Sequence, residues 1–445
     1  MPVGSVRGPA RALLVPFPGE GHFKPFVQIM RLLAKSRINF TVLSNQERCD
    51  ELSRYKANGE FGDLDVDFIP LFRDFLKPTP PRSFPHMLED WKYRKVEIDP
   101  SRFACMITDM FVYYLHDDTV KWGIPRYSFI STGCYMGLYL IQGDKIVEEG
   151  WLFSNPDKRH QSITLPGLEL FSPLHFPRAD LQEEKILPEL AVSLRKSDGV
   201  ALQFVRAPKI FVVGPLVSLP LSSENLHELA SKPGDNLREI TDWLDGQRKS
   251  SVLFISIGSM RPLPKTGAIA FAEALEQTGV PFFWVLRLPP GHSVEEYLPQ
   301  GFEARTKMQG IVWTHWVPQQ QLLQHPSIGG FLSHCGWNSL IEAISAGVPI
   351  AACPMYAEQG LNAKYIVDVL QIAVEIRYKE DYFDFDSETV ALAINTLMDE
   401  HKVAKIRENV LNMRTAIFEA VEVGGKSYRS FQEFISTILS HKTLT

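Results

Sequence analysis

Residues Trp316 to Gln359 read WVPQQQLLQHPSIGGFLSHCGWNSLIEAISAGVPIAACPMYAEQ, and this stretch decides the fold of the 445-residue chain. Gly330, Phe331 and Leu332 close a short apolar run of the kind that forms a buried parallel strand. A turn follows from Ser333 to Trp337, with Gly336 supplying backbone freedom. Asn338 or Ser339 is expected to cap a helix running through Ile344, which Gly347 and Pro349 end. A strand, a tight turn and a helix start make an anion site, because the first helical N–H groups lack partners and carry the positive end of the dipole. His334, Asn338 and Ser339 add donors. Glu342 lies three and four residues beyond the caps, on their face, where it suits ribose hydroxyls rather than a phosphate. The indole of Trp316 can stack on a base and Gln319 can bond a pyrimidine edge. Taken singly these residues fit an ordinary βα unit with Trp316 and Trp337 as packing residues. Their combination, with Trp337 in a polar turn, favours a nucleotide diphosphate sugar.

The segment resembles the sugar-nucleotide box of plant family 1 UDP-glycosyltransferases. It matches in length, in the opening tryptophan, in HCGWNS, in the later glutamate, in GVP and in the closing glutamine. The resemblance implies that Trp316 and Gln319 hold the uridine, with Val317 among the donor-binding residues. It implies that His334, Asn338 and Ser339 hold the diphosphate, with Gly336 among the donor-binding residues, and that Glu342 holds the ribose. Trp337, Glu358 and Gln359 would contact the sugar. Family members often carry aspartate where this chain has Glu358, which keeps the charge and adds a methylene. Trp337 and Gln359 favour glucose, whereas glucuronic acid would call for an arginine to pair its carboxylate.

A chain of this length has room for two domains. Its 45% hydrophobic and 22% charged content is that of an ordinary globular protein. With a net charge of −6 and no basic stripe, nucleic acid is not an expected partner. Cys49, Cys105, Cys134, Cys335 and Cys353 are scattered, as reduced thiols of a cytoplasmic protein would be. The N-terminus lacks an apolar stretch suited to a secretion signal, and no run is long enough to span a membrane. Asn39-Phe40-Thr41 fits a glycosylation sequon but falls in an expected strand, and is read as chance. A cytoplasmic monomer is expected.

Strands and helices alternate, which predicts α/β with parallel sheets. Expected strands are Ala12 to Pro16, Phe40 to Ser44, Val66 to Ile69, Cys105 to Thr108 and Tyr127 to Ile130, with a helix from Pro25 to Ala34. KIFVVGPL, Lys209 to Leu216, is expected to end the first half. The second half restarts at Ser251 to Ser259, then a helix over Ala268 to Gln277 and a strand over Phe282 to Leu286. The expected layout is an acceptor domain over 1–218, a linker over 219–237, a UDP-sugar domain over 238–425, and a C-terminal helix and tail over 426–445 that returns to the first domain. The resemblance implies the GT-B fold, two Rossmann-like domains facing across a cleft. Gly258 and Ser259 end a strand where such sheets bind ligands, so they are candidate phosphate contacts. Only five residues separate Gly199–Phe204 from Ile210–Val213, too few for a parallel crossover. Either Gly199–Phe204 is not a sheet strand or the unit is truncated. In the region just before Asp109, between the expected strands Val66 to Ile69 and Cys105 to Thr108, only one helical stretch, Phe84 to Val96, is evident, as though a helix had been lost.

PFPGEGHFKPF, Pro16 to Phe26, follows the first strand and holds His22 in a strand-end loop beside a helix start. By itself such a histidine is more often structural. The resemblance makes it the general base, and Asp109, at the tip of CMITD, its partner carboxylate. The alternative for Asp109 is an N-cap for a helix over Met110 to Lys121. The family has glutamine where this chain has Glu20, an anion that either raises the base's pKa or faces solvent. Glu20, Trp91, Phe111, Tyr113, Tyr135, Met136 and Tyr139 are acceptor candidates, aromatic in character and suited to a phenolic. Asp65-Val66-Asp67 and Asp384-Phe385-Asp386 have the spacing of metal-dependent transferases but read as surface acids. No metal and no cofactor is expected, with UDP-glucose as co-substrate. The activity expected is inverting glucosyl transfer to a small specialised metabolite. The competing readings are a catalytically weak UDP-sugar-binding protein with a truncated acceptor domain and, more remotely, a UDP-sugar epimerase.

Overall fold

The computed structural model describes residues 10–72, 99–112, 115–152, 157–172, 181–197, 199–201, 211–216, 237–258, 262–378 and 385–441, with 154–155, 175–176 and 226. Two compact units result. One comprises Met1–Pro173, Arg178–Leu216 and Ala420–Thr445, and the other Leu174–Pro177 and Val217–Glu419.

The first unit holds a six-stranded sheet of β1 (Arg11–Val15), β2 (Asn39–Asn45), β3 (Val66–Phe72), β4 (Cys105–Asp109), β5 (Arg126–Phe129) and β6 (Gly199–Ala201). The second holds β7 (Val252–Ser256), β8 (Phe282–Val285), β9 (Gly310–Trp313), β10 (Ile328–Ser333), β11 (Ile350–Ala352) and β12 (Ala373–Glu375). The sheet orders are β3-β2-β1-β4-β5-β6 and β12-β11-β10-β7-β8-β9, and every pairing is parallel. In each sheet the chain starts in the middle, runs out to one edge, then returns and runs out to the other. The connections therefore diverge between β1 and β4, and again between β7 and β10. A doubly wound sheet opens a ligand crevice at that point, beyond the carboxyl ends of the strands.

The central strands are buried on both faces, which is why RALLV and VLFIS read as largely apolar runs. In the second sheet Phe254 lies stacked between Phe283 at 5.9 Å and Phe331 at 5.0 Å, each in register on a neighbouring strand. Burying each of these rings stabilises the sheet by about 2–3 kcal/mol.

The Gly199–Phe204 question resolves for its first three residues. Gly199–Ala201 is a strand paired with β5, reached by a long connection that includes the helices Cys134–Ile141, Gly143–Glu148 and Leu181–Arg195. The run KIFVVGPL, expected to end the first half, forms no strand over Phe211 to Leu216. That run lies against the C-terminal helix Lys426–His441 instead. The Val212 N–H donates to Ser430 Oγ at 2.7 Å, and Phe211 is buried with Tyr127 and Phe434. The same helix buries Phe431, Ile435 and Ile438 in the first unit's core, and its His441 Nε2 meets the Tyr127 hydroxyl at 2.7 Å. The helix expected over Phe84 to Val96 lies outside the described residues, as does almost all of the expected linker.

Candidate active site and nucleotide site

The switch point of the first sheet carries a histidine and an acid. The helix after β1 spans Glu20–Lys35, beginning five residues before Pro25. His22 is therefore in the first helical turn, not in a preceding loop. The first-turn preference of proline set the expected start too late, since the helix takes Pro25 inside and forgoes one backbone bond there. An arginine holds the earlier turn. Arg48, only 5% exposed, donates to the Pro18 carbonyl at 3.0 Å, to Glu20 at 2.8 Å and to Glu51 at 2.6 Å, and covers the Phe23 ring. Partial burial works to raise the Glu20 pKa, but Arg48, assisted by Lys24, outweighs it and holds the carboxyl below its usual value. Glu20 is thus an ion-paired anion engaged by Arg48 and Lys24, and the pair explains how the chain accommodates an acid there.

His22 Nδ1 lies 3.0 Å from Asp109 Oδ2, with the histidine side chain 21% exposed and the aspartate fully buried. The other Asp109 oxygen accepts the Phe111 N–H at 3.0 Å. The expected helix from Met110 does not form: residues after Asp109 turn, and the helix is His116–Trp122. Asp109 is consequently a turn-anchored carboxylate rather than an α-helix cap. Ser131 Oγ also lies 3.0 Å from Nδ1. Phe17 and Phe111 flank the imidazole at 5.3 and 5.0 Å between ring centroids, and lie 5.8 Å from each other.

Phe111 is the acceptor candidate that the fold brings to His22. Met136 and Tyr139 are buried core residues of the helix Cys134–Ile141, and Tyr135 packs edge-on against Phe171. Trp91 and Tyr113 lie outside the described residues. Ser131 and Phe17 were missed in the sequence. The signal for Ser131 was available, because it stands two residues beyond Phe129, the register partner of Asp109, and strand alternation puts it on the same side.

The switch point of the second sheet carries the HCGWNS turn. β10 ends at Ser333, and the next helix is Trp337–Ala346, starting from Gly336 and closing on left-handed Gly347. Asn338 and Ser339 are therefore inside the first turn, not its caps. Trp337 opens the helix and is half-buried against the core, so it is not the loop residue its polar neighbours suggested. The His334 ring is held between two glycines. A Cβ at Gly258, just past β7, would stand 2.6 Å from its Nε2, and one at Gly336 2.5 Å. Desolvation lowers the His334 pKa to about 4, with the Ser256 backbone acting weakly the other way, so the ring is neutral at pH 7. Its Nδ1 is enclosed without a hydrogen-bond partner among the described residues. Asn362, buried, donates to the Cys335 carbonyl at 3.0 Å and fixes a turn in which Cys335 adopts φ 63°.

Around this turn the expected residues divide. Gln319 donates to Ser339 Oγ at 3.0 Å and to Glu342 Oε2 at 2.6 Å, so one cluster joins three predicted nucleotide contacts. Trp316 is 76% exposed, an available flat surface, whereas Val317 is a core residue. Gln359 is buried and its Oε1 accepts the Met355 and Tyr356 N–H groups at 2.9 and 3.0 Å. Half-buried Glu358 precedes it, at the start of the helix Gln359–Lys364. Ser259 lies outside the described residues.

Comparison with known proteins bears on both switch points. A family described as UDP-glucoronosyl and UDP-glucosyl transferase matches residues 211–417. UDP-glycosyltransferase 71E1 of Stevia rebaudiana is 30% identical over 96% of this chain and 98% of its own. Anthocyanidin 5,3-O-glucosyltransferase of a Rosa hybrid cultivar is 38% identical over 94% of this chain and 96% of its own. The chain belongs to the plant family 1 UDP-glycosyltransferases. As a family 1 glycosyltransferase it transfers sugar from a UDP-sugar to small-molecule acceptors. The structure of Medicago truncatula UGT71G1 complexed with UDP-glucose superimposes with a TM-score of 0.79 at 25% identity, covering 97% of this chain and 98% of that one. The GT-B fold class follows.

Three acids of the Asp-x-Asp pairs of this glycosyltransferase are engaged by neighbouring groups. Arg11 bonds both Asp65 and Asp67, the latter at 2.8 Å. Asp386 caps the helix Ser387–Met398 by accepting the Thr389 N–H at 2.9 Å, and Asp384 is outside the described residues. Among the described residues no helix is long and apolar enough to cross a membrane.

Proposed function

We propose that the protein transfers glucose from UDP-glucose to a hydroxyl of an aromatic acceptor, such as a phenolic specialised metabolite, with inversion and without a metal. The observation that carries this reading is the His22 Nδ1–Asp109 Oδ2 contact of 3.0 Å beside the rings of Phe17 and Phe111. Asp109 holds the proton on Nδ1, so Nε2 is the nitrogen that accepts the acceptor's proton. The acceptor oxygen then attacks the anomeric carbon from the face opposite UDP. As the C–O bond forms, the bond to the diphosphate breaks and its electron pair leaves with UDP. Asp109 stabilises the imidazolium. The Phe17 and Phe111 rings give an aromatic wall beside the imidazole against which a flat acceptor can pack.

On the donor side, the N–H groups opening the helix Trp337–Ala346 and neutral His334 offer donors to the diphosphate. Glu342, held by Gln319, is assigned to the ribose hydroxyls and exposed Trp316 to the base, and their contact and exposure support this reading. Glucose is favoured by Trp337 and by Gln359, whose carbonyl is committed to the backbone and whose amide is left to donate.

The test is UDP release from UDP-glucose with a panel of phenolic acceptors, alone and with a chelator, with the product anomer assigned by NMR. Acceptor-dependent release of a β-glucoside, insensitive to chelation, is expected. His22→Ala should abolish transfer and keep UDP binding. Full activity of that variant, a retained anomer or loss of activity on chelation would each overturn its part of the reading.

A further inference from the structure

His22 Nδ1 has two oxygens at the same distance. Asp109 Oδ2 comes from the end of β4 and Ser131 Oγ from just beyond the end of β5, each 3.0 Å away. The neighbouring strands deliver them together, because Asp109 pairs in register with Phe129 and Ser131 follows in the same phase. Ser131 is 8% exposed, so its hydroxyl is largely withdrawn from water. A hydroxyl so placed is stabilised by a protein partner, and Nδ1 supplies one.

One hydrogen bond fixes the distance of an imidazole from its partner but leaves the ring free to swing about it. Two acceptors on different strands fix its direction as well. We propose that Ser131 is a positioning residue for the transfer reaction: its hydroxyl oxygen shares the Nδ1–H of His22 with Asp109, aims Nε2 at the acceptor, and stabilises the imidazolium that forms when Nε2 takes the acceptor's proton. The proposal rests on His22 acting as the general base. The groups that set the charge around the ring are Asp109 on β4, Glu20 and Lys24 on the histidine's own helix, and Arg48 on the helix Gln46–Ala57. All four are unchanged in the variants below.

The experiment compares wild type, Ser131→Ala, Ser131→Thr and His22→Ala. It measures kcat and KM against pH from 5 to 9 with UDP-glucose and a simple phenol that the wild type accepts, together with UDP binding by calorimetry. Losing one hydrogen bond to a group that becomes charged should lower the kcat of Ser131→Ala roughly three- to tenfold at neutral pH. The base works deprotonated, and the serine stabilises its protonated form. Removing the hydroxyl therefore lowers the ring's pKa and moves the acid limb of the kcat profile to lower pH, by about half a unit. Ser131→Thr keeps an oxygen there and should restore the wild-type limb, and UDP affinity should be the same in all four proteins. An unshifted acid limb in Ser131→Ala overturns the proposal, whether kcat stays put or falls through general destabilisation. Activity in His22→Ala would overturn the underlying assignment instead, so the two failures are distinguishable.

Discussion

Gly336→Ala adds one methyl group to the turn that is to hold the diphosphate, and the structure sets the size of the effect. Gly336 has φ −62° and ψ 136°, a backbone conformation open to any residue, so alanine brings no conformational penalty. Its Cβ would stand 2.5 Å from His334 Nε2 and 3.2 Å from Cδ2 and Cε1, against an ordinary contact starting at 3.4 Å. The imidazole must therefore give by about 1 Å. On its other side the ring already lies against Gly258, so close that a side chain there would meet the same nitrogen at 2.6 Å, and the added methyl group drives it out of the slot. A hydrogen bond of ~2.9 Å from this ring to a phosphate oxygen does not survive a shift of that size. Such bonds to charged groups contribute about 1.5–3 kcal/mol, equivalent to a roughly 10- to 100-fold weaker Kd for UDP. Titration calorimetry with UDP reads this directly, and thermal unfolding checks that the fold is kept. In the double variant His334→Ala/Gly336→Ala the methyl group meets no ring, so its affinity should equal that of His334→Ala alone. Gly336→Ala binding UDP within twofold of wild type, or additive losses in the double variant, would refute the reasoning.

Three further outcomes follow from the same contacts. The folded His334 pKa of about 4 lies below the unfolded value near 6.5, so as pH falls the unfolded chain takes the proton first. Stability should therefore drop between pH 6.5 and 4, seen as a lower urea midpoint, and His334→Gln should flatten that slope. Arg48→Met strands Glu20, Glu51 and the Pro18 carbonyl, and should cost about 2–3 kcal/mol of stability in denaturant unfolding while lowering kcat more than UDP affinity; an unchanged midpoint would remove the arginine from its clamping role. Asn362→Leu frees the Cys335 carbonyl and loosens a turn at positive φ, so KM for UDP-glucose should rise about fivefold with a smaller change in kcat, whereas an unaltered KM would show the turn holds itself.

Legibility in the sequence followed the range of the forces involved. Buried parallel strands announce themselves as apolar runs, so β1, β2, β4, β5, β8 and β10 were readable within a residue or two, while β7 ends at Ser256, three residues before the Ser259 expected. Helix starts were not. Pro25 and the polar pair Asn338-Ser339 pointed to starts that the structure places five and two or three residues earlier, because an arginine thirty residues from Pro18 and a glycine at Gly336 decide them. The apolar run Phe211 to Leu216 is covered by the C-terminal helix rather than built into the sheet, since apolarity records burial but not the partner.

The sequence by itself determined the chemistry available: the residue types of the HCGWNS turn, one histidine after the first strand and one acid at the end of the fourth. Their spacing along the chain reflects backbone turns and helix periodicity, which are local and so leave a local trace. Only the tertiary structure decided which of them act together. Parallel strand pairing across a doubly wound sheet sets Asp109 and then Ser131 beside His22, and places Gly258 against His334. These are contacts between segments tens of residues apart, fixed by sheet register, and no short stretch of sequence records them.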